Sequence, residues 1–219
     1  MADRVPDYIV VEGPIGVGKT TLAQRLAQTF NSDLLLERAA DNPFLESFYE
    51  NPRTAALPTQ LQFLFQRTRQ LESLRQKDMF RRHRVADFLV QKDELFARAT
   101  LNSQELELYY QVYNRLTLEA PSPDLVIYLQ APVDSLLRRI RVRGLAYEQK
   151  IEEAYLQRIA DAYVDFFYHY DSAPLLIVNT ADFNLADGED EYEVLLDHIR
   201  SLSPGRHYFN PRGVLDAAV

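Results

Sequence analysis

A glycine-rich loop between an apolar run and a helical pattern constrains most what this chain can fold into. Residues 8–21 read YIVVEGPIGVGKTT, and residues 13–20 match the pattern G-x-x-x-x-G-K-[ST]. The apolar run at 8–11 predicts a strand that enters the loop, and the periodicity of 22–30 predicts a helix that leaves it. A strand, a loop and a helix in this order are the context of a P-loop, a phosphate-binding loop.

The residue types in this loop fit the binding of nucleotide phosphates. Backbone N–H groups must point inward around a phosphate, and side chains at the three glycine positions would obstruct them. The following helix adds its unpaired N–H groups and its positive dipole end. Lys19 is expected to bridge the outer phosphates, and the Thr20 hydroxyl is expected to bind Mg²⁺. The predicted nucleotide-binding residues are Gly13, Gly16, Gly18, Lys19, Thr20 and Thr21. The alternative, a glycine-rich turn that binds nothing, is disfavoured by the flanking strand and helix.

Composition narrows the class of protein. With 219 residues, of which 47% are hydrophobic and 26% charged, the chain suits a single domain over residues 1–219. The net charge of −8 argues against a general nucleic-acid or membrane-surface binder. No cysteine is present and the four histidines are scattered, so thiolate metal sites and disulfides are excluded. Residues 1–7 lack the apolar segment of a signal peptide, and a cytoplasmic protein is expected.

Short buried strands alternate with helical patterns along the chain. Apolar runs predict strands at residues 8–11, 33–37, 85–88, 125–129 and 175–179. Helices are predicted at residues 22–30, 58–77, 103–118, 132–143, 151–170 and 189–201, with Pro58 as a start and Ser103 as an N-cap. The alternation predicts an α/β fold, with a parallel sheet of about five strands and helices on both faces.

Two carboxylates follow predicted strands. Glu37 and Asp87 end the second and third apolar runs, and the carboxyl ends of parallel strands share one sheet edge with the P-loop. A solvated strand-end glutamate remains the alternative for Glu37. Gln60 and Arg67 are seven residues apart, hence two turns apart on one helix face and about 10.5 Å along the axis. Their amide and guanidinium could grip the edge of a base, or they could form an ordinary polar helix face.

Four arginines crowd the end of one predicted helix before Gly144, at positions 138, 139, 141 and 143. Like charges at these spacings repel unless an anion lies among them, although a solvated helix end is the alternative. No Asn-Lys-x-Asp tetrapeptide typical of GTPases occurs, and the strand at 125–129 continues into Gln-Ala instead of the Asp-Glu typical of motor ATPases. Small-molecule kinases need a lid of arginines over the phosphates, and the cluster fits that class.

Several short motifs follow the P-loop in a fixed order. They are Glu37, FYENP at 48–52, Gln60 with Arg67, VAD at 85–87 with LFA at 95–97, and RIRVRG at 139–144 with EQ at 148–149. In this combination the chain resembles the deoxynucleoside kinases, within them the bacterial deoxyadenosine/deoxyguanosine kinase type, over about residues 8–184. The resemblance implies a P-loop kinase-like fold and the ATP- and Mg²⁺-dependent phosphorylation of a deoxynucleoside.

The resemblance also implies how the nucleoside is held. Glu37 would accept the proton of the sugar 5′-hydroxyl, and Tyr49 and Glu148 would hold the 3′-hydroxyl. Gln60 and Arg67 would read the base edge. The aromatic candidates for stacking on the base are Phe63, Phe88 and Phe96.

At the phosphate end, the resemblance implies a second set of roles. Asp87 would hold Mg²⁺ together with Thr20. Lys19, Arg139 and Arg143 would bind the transferring phosphoryl group and its neighbours. The lid is expected at about residues 138–149.

Three departures from the family pattern stand out. Asp87 is followed by Phe-Leu instead of Arg-Ser, so the arginine near the phosphates and the catalytic carboxylate is missing, and Arg141 or Arg84 is a candidate to replace it. Counting back from the Phe-Ala of the LFA motif, Lys92 stands where many relatives carry a base-reading Asp. Leu145 stands where relatives often carry a lid arginine.

The hypothesis at this point is a kinase of the 5′-hydroxyl of deoxynucleosides in nucleotide salvage, with a purine as the favoured base. A nucleoside monophosphate kinase and a catalytically silent nucleotide-binding regulator are the alternatives. The expected partners are ATP and a small-molecule deoxynucleoside, without nucleic acid or membrane. The resemblance suggests a homodimer through residues 60–77 and 103–118, and the sequence leaves open the role of a C-terminal tail at about 203–219.

Overall fold

A six-stranded parallel sheet is the centre of the fold. The computed structural model describes residues 5–77, 83–117, 120–181, 183 and 188–210. The strands are β1 (Tyr8–Glu12), β2 (Asp33–Leu35), β3 (Arg84–Ala86), β4 (Leu125–Gln130), β5 (Leu175–Asn179) and β6 (Arg206–Phe209). Their order in the sheet is β2-β3-β1-β4-β5-β6, and every neighbouring pair is parallel. The predicted α/β class is confirmed.

The predicted number of five strands is wrong because the C-terminal segment adds an edge strand. β6 lies within the predicted tail at 203–219 and pairs with β5. Only Phe209 of this strand is buried, so no apolar run announces it in the sequence. Residues 211–219 of that tail lie outside the described residues.

Helices flank the sheet. Those in the described parts of the chain are α1 (Lys19–Thr29), α2 (Leu45–Glu50), α3 (Pro52–Lys77), α4 (Lys92–Thr100), α5 (Ser103–Leu116), α6 (Val133–Arg143), α7 (Glu153–His169) and α8 (Glu189–Ser201). Short 3₁₀ turns occur at Ala39–Asp41 and Ala146–Lys150. Among the helices that the structure describes, none combines the length and the apolar character that a membrane span requires.

The predicted start of α3 and the predicted N-cap of α5 differ from the structure. Helix α3 begins at Pro52, six residues before the predicted start, and Pro58 lies inside it. Proline suits the first turn of a helix, where its missing N–H has no partner to lose, so both prolines are compatible with a start. The N-cap of α5 is Asn102, not Ser103. Its side chain accepts hydrogen bonds from two backbone N–H groups, and Glu105 completes a capping box.

The strand order brings the predicted site residues to one edge. β1 lies between β3 and β4, and the P-loop follows it directly. Ligands bind at such a point, where successive connections leave toward opposite sides of the sheet. Aromatic stacking packs helix α7 against the sheet: Tyr128 of β4 lies against Phe167 of α7 with ring centroids 4.2 Å apart. The buried strands β1 and β4 thus give the loop a fixed base.

Candidate active site

The P-loop backbone has the conformation that the glycine pattern predicts. Gly13, Gly16 and Gly18 have φ angles of +148°, +83° and +104°, in the region that side chains disfavour. A Cβ atom at Gly13 would lie 2.5 Å from the Leu129 carbonyl oxygen of β4. The loop can therefore pack this closely against β4 only because Gly13 has no side chain.

Lys19 and Thr20 begin helix α1 at the mouth of this loop. Lys19 Nζ donates hydrogen bonds to the carbonyl oxygens of Gly13 (2.8 Å) and Pro14 (3.1 Å). Burial and the nearby Lys92 ammonium lower the pKa of Lys19 to about 8. An anionic phosphate would offset both effects, since it favours the charged lysine.

Glu37 and Asp87 meet beside the loop, as the strand-end argument predicts. The backbone N–H of Glu37 donates to Asp87 Oδ1 at 2.6 Å, and Thr20 Oγ1 donates to Asp87 Oδ2 at 2.6 Å. The structure thus brings the carboxylate of Asp87 and the hydroxyl of Thr20 together. These oxygens are the ligand types that Mg²⁺ prefers.

Two cations hold the side chain of Glu37. Arg67 Nη2 bonds Oε1, and Lys92 Nζ donates to Oε2 at 2.8 Å. Burial alone would raise the pKa of Glu37, but Arg67 and Lys92 favour the ionised form more strongly and lower the pKa below its usual value. Glu37 is therefore a carboxylate at neutral pH, able to accept a proton but already oriented by its partners.

Gln60 and Arg67 of α3 both face the same cavity, although their partners differ. Arg67 is 3% exposed and bonds Asp93 as well as Glu37. Arg67 Nε and Asp93 Oδ2 are buried without a hydrogen-bond partner. Buried polar atoms of this kind normally find partners, and of these two residues Arg67 lines the cavity. The Gln60 side chain is also buried and lines the cavity.

The cavity has a volume of about 400 Å³ and extends from the P-loop to α3. Of the three aromatic candidates for base stacking, Phe63 and Phe96 line it, whereas Phe88 is fully buried in the core. The remaining lining residues that the sequence predicted are Gly16, Lys19, Thr20, Glu37, Tyr49, Asp87, Arg143 and Glu148.

The predicted lid residues interact with one another and with the loop. Arg143 Nε and Nη2 donate to the two carboxylate oxygens of Glu148 at 2.9 and 2.7 Å. Arg139 Nη1 donates to the Val17 carbonyl oxygen at 3.3 Å and to Thr180 Oγ1 at 3.1 Å. Arg139 therefore lies against the P-loop, and Arg143 is paired with a residue predicted to bind the sugar.

Three charged residues of the site were missed or misplaced by sequence reasoning. Glu12 ends β1 and is 1% exposed, whereas the apolar run that predicts this strand ends at residue 11. The acidic side chain beside Arg67 is Asp93, one residue beyond the position counted from the Phe-Ala pair. Lys92 instead contacts Glu37. The sequence signal for Lys92 and Asp93 is that two charged residues of opposite sign stand together at the start of a helix.

The two arginines considered as replacements for the missing Arg-Ser arginine lie elsewhere. Arg84 starts β3 in register with Tyr8, at the strand end opposite to Asp87. Arg141 is exposed on α6. The cation that the structure brings to Glu37 from the segment after Asp87 is Lys92.

Together, the parallel sheet, the P-loop and the cavity with its oriented carboxylate define a P-loop protein of the small-molecule kinase class. The sequence profile described as deoxynucleoside kinase matches residues 9–203. The chain therefore belongs to the deoxynucleoside kinase family.

Individual relatives extend this result. A deoxyguanosine kinase of Bacillus subtilis (strain 168) is 36% identical over 202 residues, covering 89% of this chain and 97% of its own length. A deoxyguanosine kinase of Lactobacillus johnsonii is 33% identical over 205 residues, covering 85% and 88%. Among solved structures, deoxyadenosine kinase from M. mycoides with products dCMP and a flexible dCDP bound has a TM-score of 0.78 at 23% identity, covering 89% of this chain and all of that one. At this identity the structural likeness speaks for the fold alone.

Proposed function

We propose that this protein transfers the γ-phosphoryl group of ATP to the 5′-hydroxyl of a deoxynucleoside, as an enzyme of nucleotide salvage. The observation that carries the proposal is the cavity that joins Lys19 and Thr20 of the P-loop to the oriented carboxylate of Glu37. A purine deoxynucleoside is the favoured substrate, because the two relatives above that are more than 30% identical are named deoxyguanosine kinases.

In this proposal Glu37 takes the proton of the 5′-hydroxyl. The hydroxyl oxygen forms a bond to the γ-phosphorus while the bond to the bridging oxygen breaks, and ADP leaves with that electron pair. The transition state of phosphoryl transfer is loose, so positioning and charge do most of the catalysis. Lys19, Arg139 and Arg143 are proposed to supply the positive charge around the transferred group.

Base and sugar recognition are assigned to other residues of the same cavity. Gln60 and Arg67 are proposed to read the base edge, and the position of both side chains at the cavity supports this. Tyr49 and Glu148 are proposed to hold the 3′-hydroxyl, and both line the cavity. A site built to bond a hydroxyl rejects analogues that lack it, because its own polar groups are then left unpaired.

Mg²⁺ is proposed to bind at Thr20 and Asp87, whose hydroxyl and carboxylate oxygens suit this ion. The ion would neutralise charge on the phosphates of ATP.

We further propose a single domain over residues 1–219, a lid at residues 138–149 and a homodimer. Exposed apolar side chains support association through α3 and α5: Phe65 and Leu108 are 39% and 48% exposed. A cytoplasmic location stays a prediction from the sequence.

The test is ATP-dependent turnover on the four deoxynucleosides and their monophosphates, with a Lys19→Met protein purified in the same way as the control for contaminating kinases. Turnover on deoxyguanosine or deoxyadenosine that disappears in the control supports the proposal. Activity on a monophosphate alone would indicate a nucleoside monophosphate kinase. ATP binding without turnover of any acceptor would indicate a silent nucleotide-binding regulator.

A further inference from the structure

Lys92 is a buried cation in the site to which the sequence pattern assigns no role. It is the first residue of α4, and its side chain is 5% exposed. Its Nζ donates to Glu37 Oε2 at 2.8 Å and lies 4.0 Å from Glu12 Oε1. Lysines are almost never buried to this degree unless their charge is paired, and here two carboxylates flank one ammonium.

The second carboxylate is itself fixed. Glu12 accepts hydrogen bonds from the Gly13 and Leu89 backbone N–H groups, at 2.7 and 3.0 Å, and from the Tyr163 hydroxyl at 2.8 Å. Lys92 therefore lies between a carboxylate that the fold holds rigidly and the carboxylate of Glu37. Burial by itself would lower the pKa of Lys92, but Glu37 and Glu12 raise it above the usual value, so the ammonium is retained.

The four residues between Asp87 and Lys92 include no cation. Phe88 and Leu89 follow Asp87, and both are apolar and buried. Backbone hydrogen bonds from Lys92 to Leu89 and from Asp93 to Val90 form the turn that starts α4. This turn directs the first residue of the helix toward Glu37.

We propose that Lys92 is a positioning residue for Glu37. Lys92 holds Oε2 of the Glu37 carboxylate and Arg67 holds Oε1, and together they orient this proton acceptor toward the 5′-hydroxyl. Each oxygen keeps a second lone pair for that proton. No proton passes through Lys92, which stays an ammonium throughout. The inference rests on the proposed function of Glu37 as proton acceptor.

A positioning role predicts a particular kinetic pattern. Lys92→Met keeps the length of the side chain but removes the charge, so kcat should fall about 30-fold or more, while the deoxynucleoside KM changes by less than about threefold. Lys92→Arg keeps a cation and should retain kcat within about fivefold. Arg98→Met is the matched control, since Arg98 lies on the same helix but is exposed and pairs with Glu94.

The decisive comparison repeats Lys92→Met in a Glu37→Gln background. If Lys92 acts through Glu37, its loss there should change the residual kcat by less than about threefold, because residues that act as a unit are not additive. An equal loss in both backgrounds would overturn the inference and indicate a structural role. An unchanged kcat in the single variant, or a change confined to KM, would also overturn it.

Two further variants keep the test decisive if Lys92→Met does not fold. Lys92→Ala should regain kcat on addition of ethylammonium, and only when Glu37 is present. Without a folded neutral variant, a folded Lys92→Arg whose kcat falls by more than about fivefold would overturn the inference. If the wild-type protein turns over no deoxynucleoside, the proposed function itself fails, whereas an active wild type with an insensitive Lys92 variant refutes the positioning role alone.

Discussion

Thr20 Oγ1 and Asp87 Oδ2 lie 2.6 Å apart, although 67 residues separate them in the chain. The contact joins the start of α1 to the end of β3 and places a hydroxyl and a carboxylate at the mouth of the P-loop. The same carboxylate accepts the backbone N–H of Glu37 through its other oxygen. One side chain thus links the proposed metal site to the proposed proton acceptor.

Replacing Asp87 with Asn should raise the Mg²⁺ concentration needed for half-maximal turnover by about tenfold or more, because a carboxylate is a stronger Mg²⁺ ligand than an amide. The measurement is a titration of turnover with Mg²⁺ at fixed ATP. Asp161→Asn, on the exposed face of α7, is the control. A midpoint that does not move in the Asp87 variant would refute the proposed metal site.

Replacing Gly13 with Ala should destabilise the protein and abolish ATP binding. The new Cβ would lie 2.5 Å from the Leu129 carbonyl oxygen. This distance is too short for a non-bonded contact, so either the loop or strand β4 would have to move. The free energy of unfolding, measured in denaturant, should fall by about 3 kcal/mol. Gly205→Ala is the control, because Gly205 has φ +123° but no atom within 4 Å of such a Cβ, and it should cost only about 1–2 kcal/mol. Equal losses in the two variants would contradict the packing argument.

ATP binding should take up a proton in mildly alkaline solution. Burial and Lys92 lower the pKa of Lys19 to about 8 in the free protein, so part of Lys19 is neutral at about pH 8.5. The charge of ATP favours the ammonium and raises the pKa, so binding draws a proton from the buffer and the affinity falls as the pH rises through 8. Calorimetry in two buffers of different ionisation enthalpy measures the uptake. Its absence, with ATP bound, would show that Lys19 is already charged.

The fold was largely predictable where burial on both faces of the sheet leaves an apolar run. β4 and β5 were predicted almost to the residue for that reason, and the rule that strand ends share an edge predicted that Glu37 and Asp87 lie together. β6 was missed because an edge strand with one buried residue has no such run.

The charged network of the site was less predictable. The partners of Glu37 depend on the turn after Asp87, which brings the start of α4 into the cavity. The count back from Phe96-Ala97 stays inside α4 and ends at Lys92, but the acidic side chain that contacts Arg67 is that of the next residue, Asp93. Pairings between groups far apart in the chain need the three-dimensional fold, since periodicity reports only the face on which a residue lies.

Replacing Glu148 with Gln should weaken recognition of the 3′-hydroxyl. The KM for a 2′-deoxynucleoside should rise by about tenfold, which corresponds to about 1.4 kcal/mol, whereas the KM for the 2′,3′-dideoxy analogue should stay nearly constant. Glu153→Gln, exposed at the start of α7, is the control. Equal changes for both nucleosides would mean that Glu148 acts only through its pairing with Arg143.

The most direct test of the account is the turnover of Glu37→Gln with saturating ATP, together with its dissociation constant for the deoxynucleoside. The account predicts a kcat lower by about 10²–10⁴-fold, because the proton acceptor is lost. It also predicts nucleoside affinity within about threefold of the wild type, because the base and sugar contacts remain. Glu193→Gln, exposed on α8, should behave as the wild type. A Glu37→Gln protein that keeps its turnover would contradict the assignment of Glu37 as the proton acceptor.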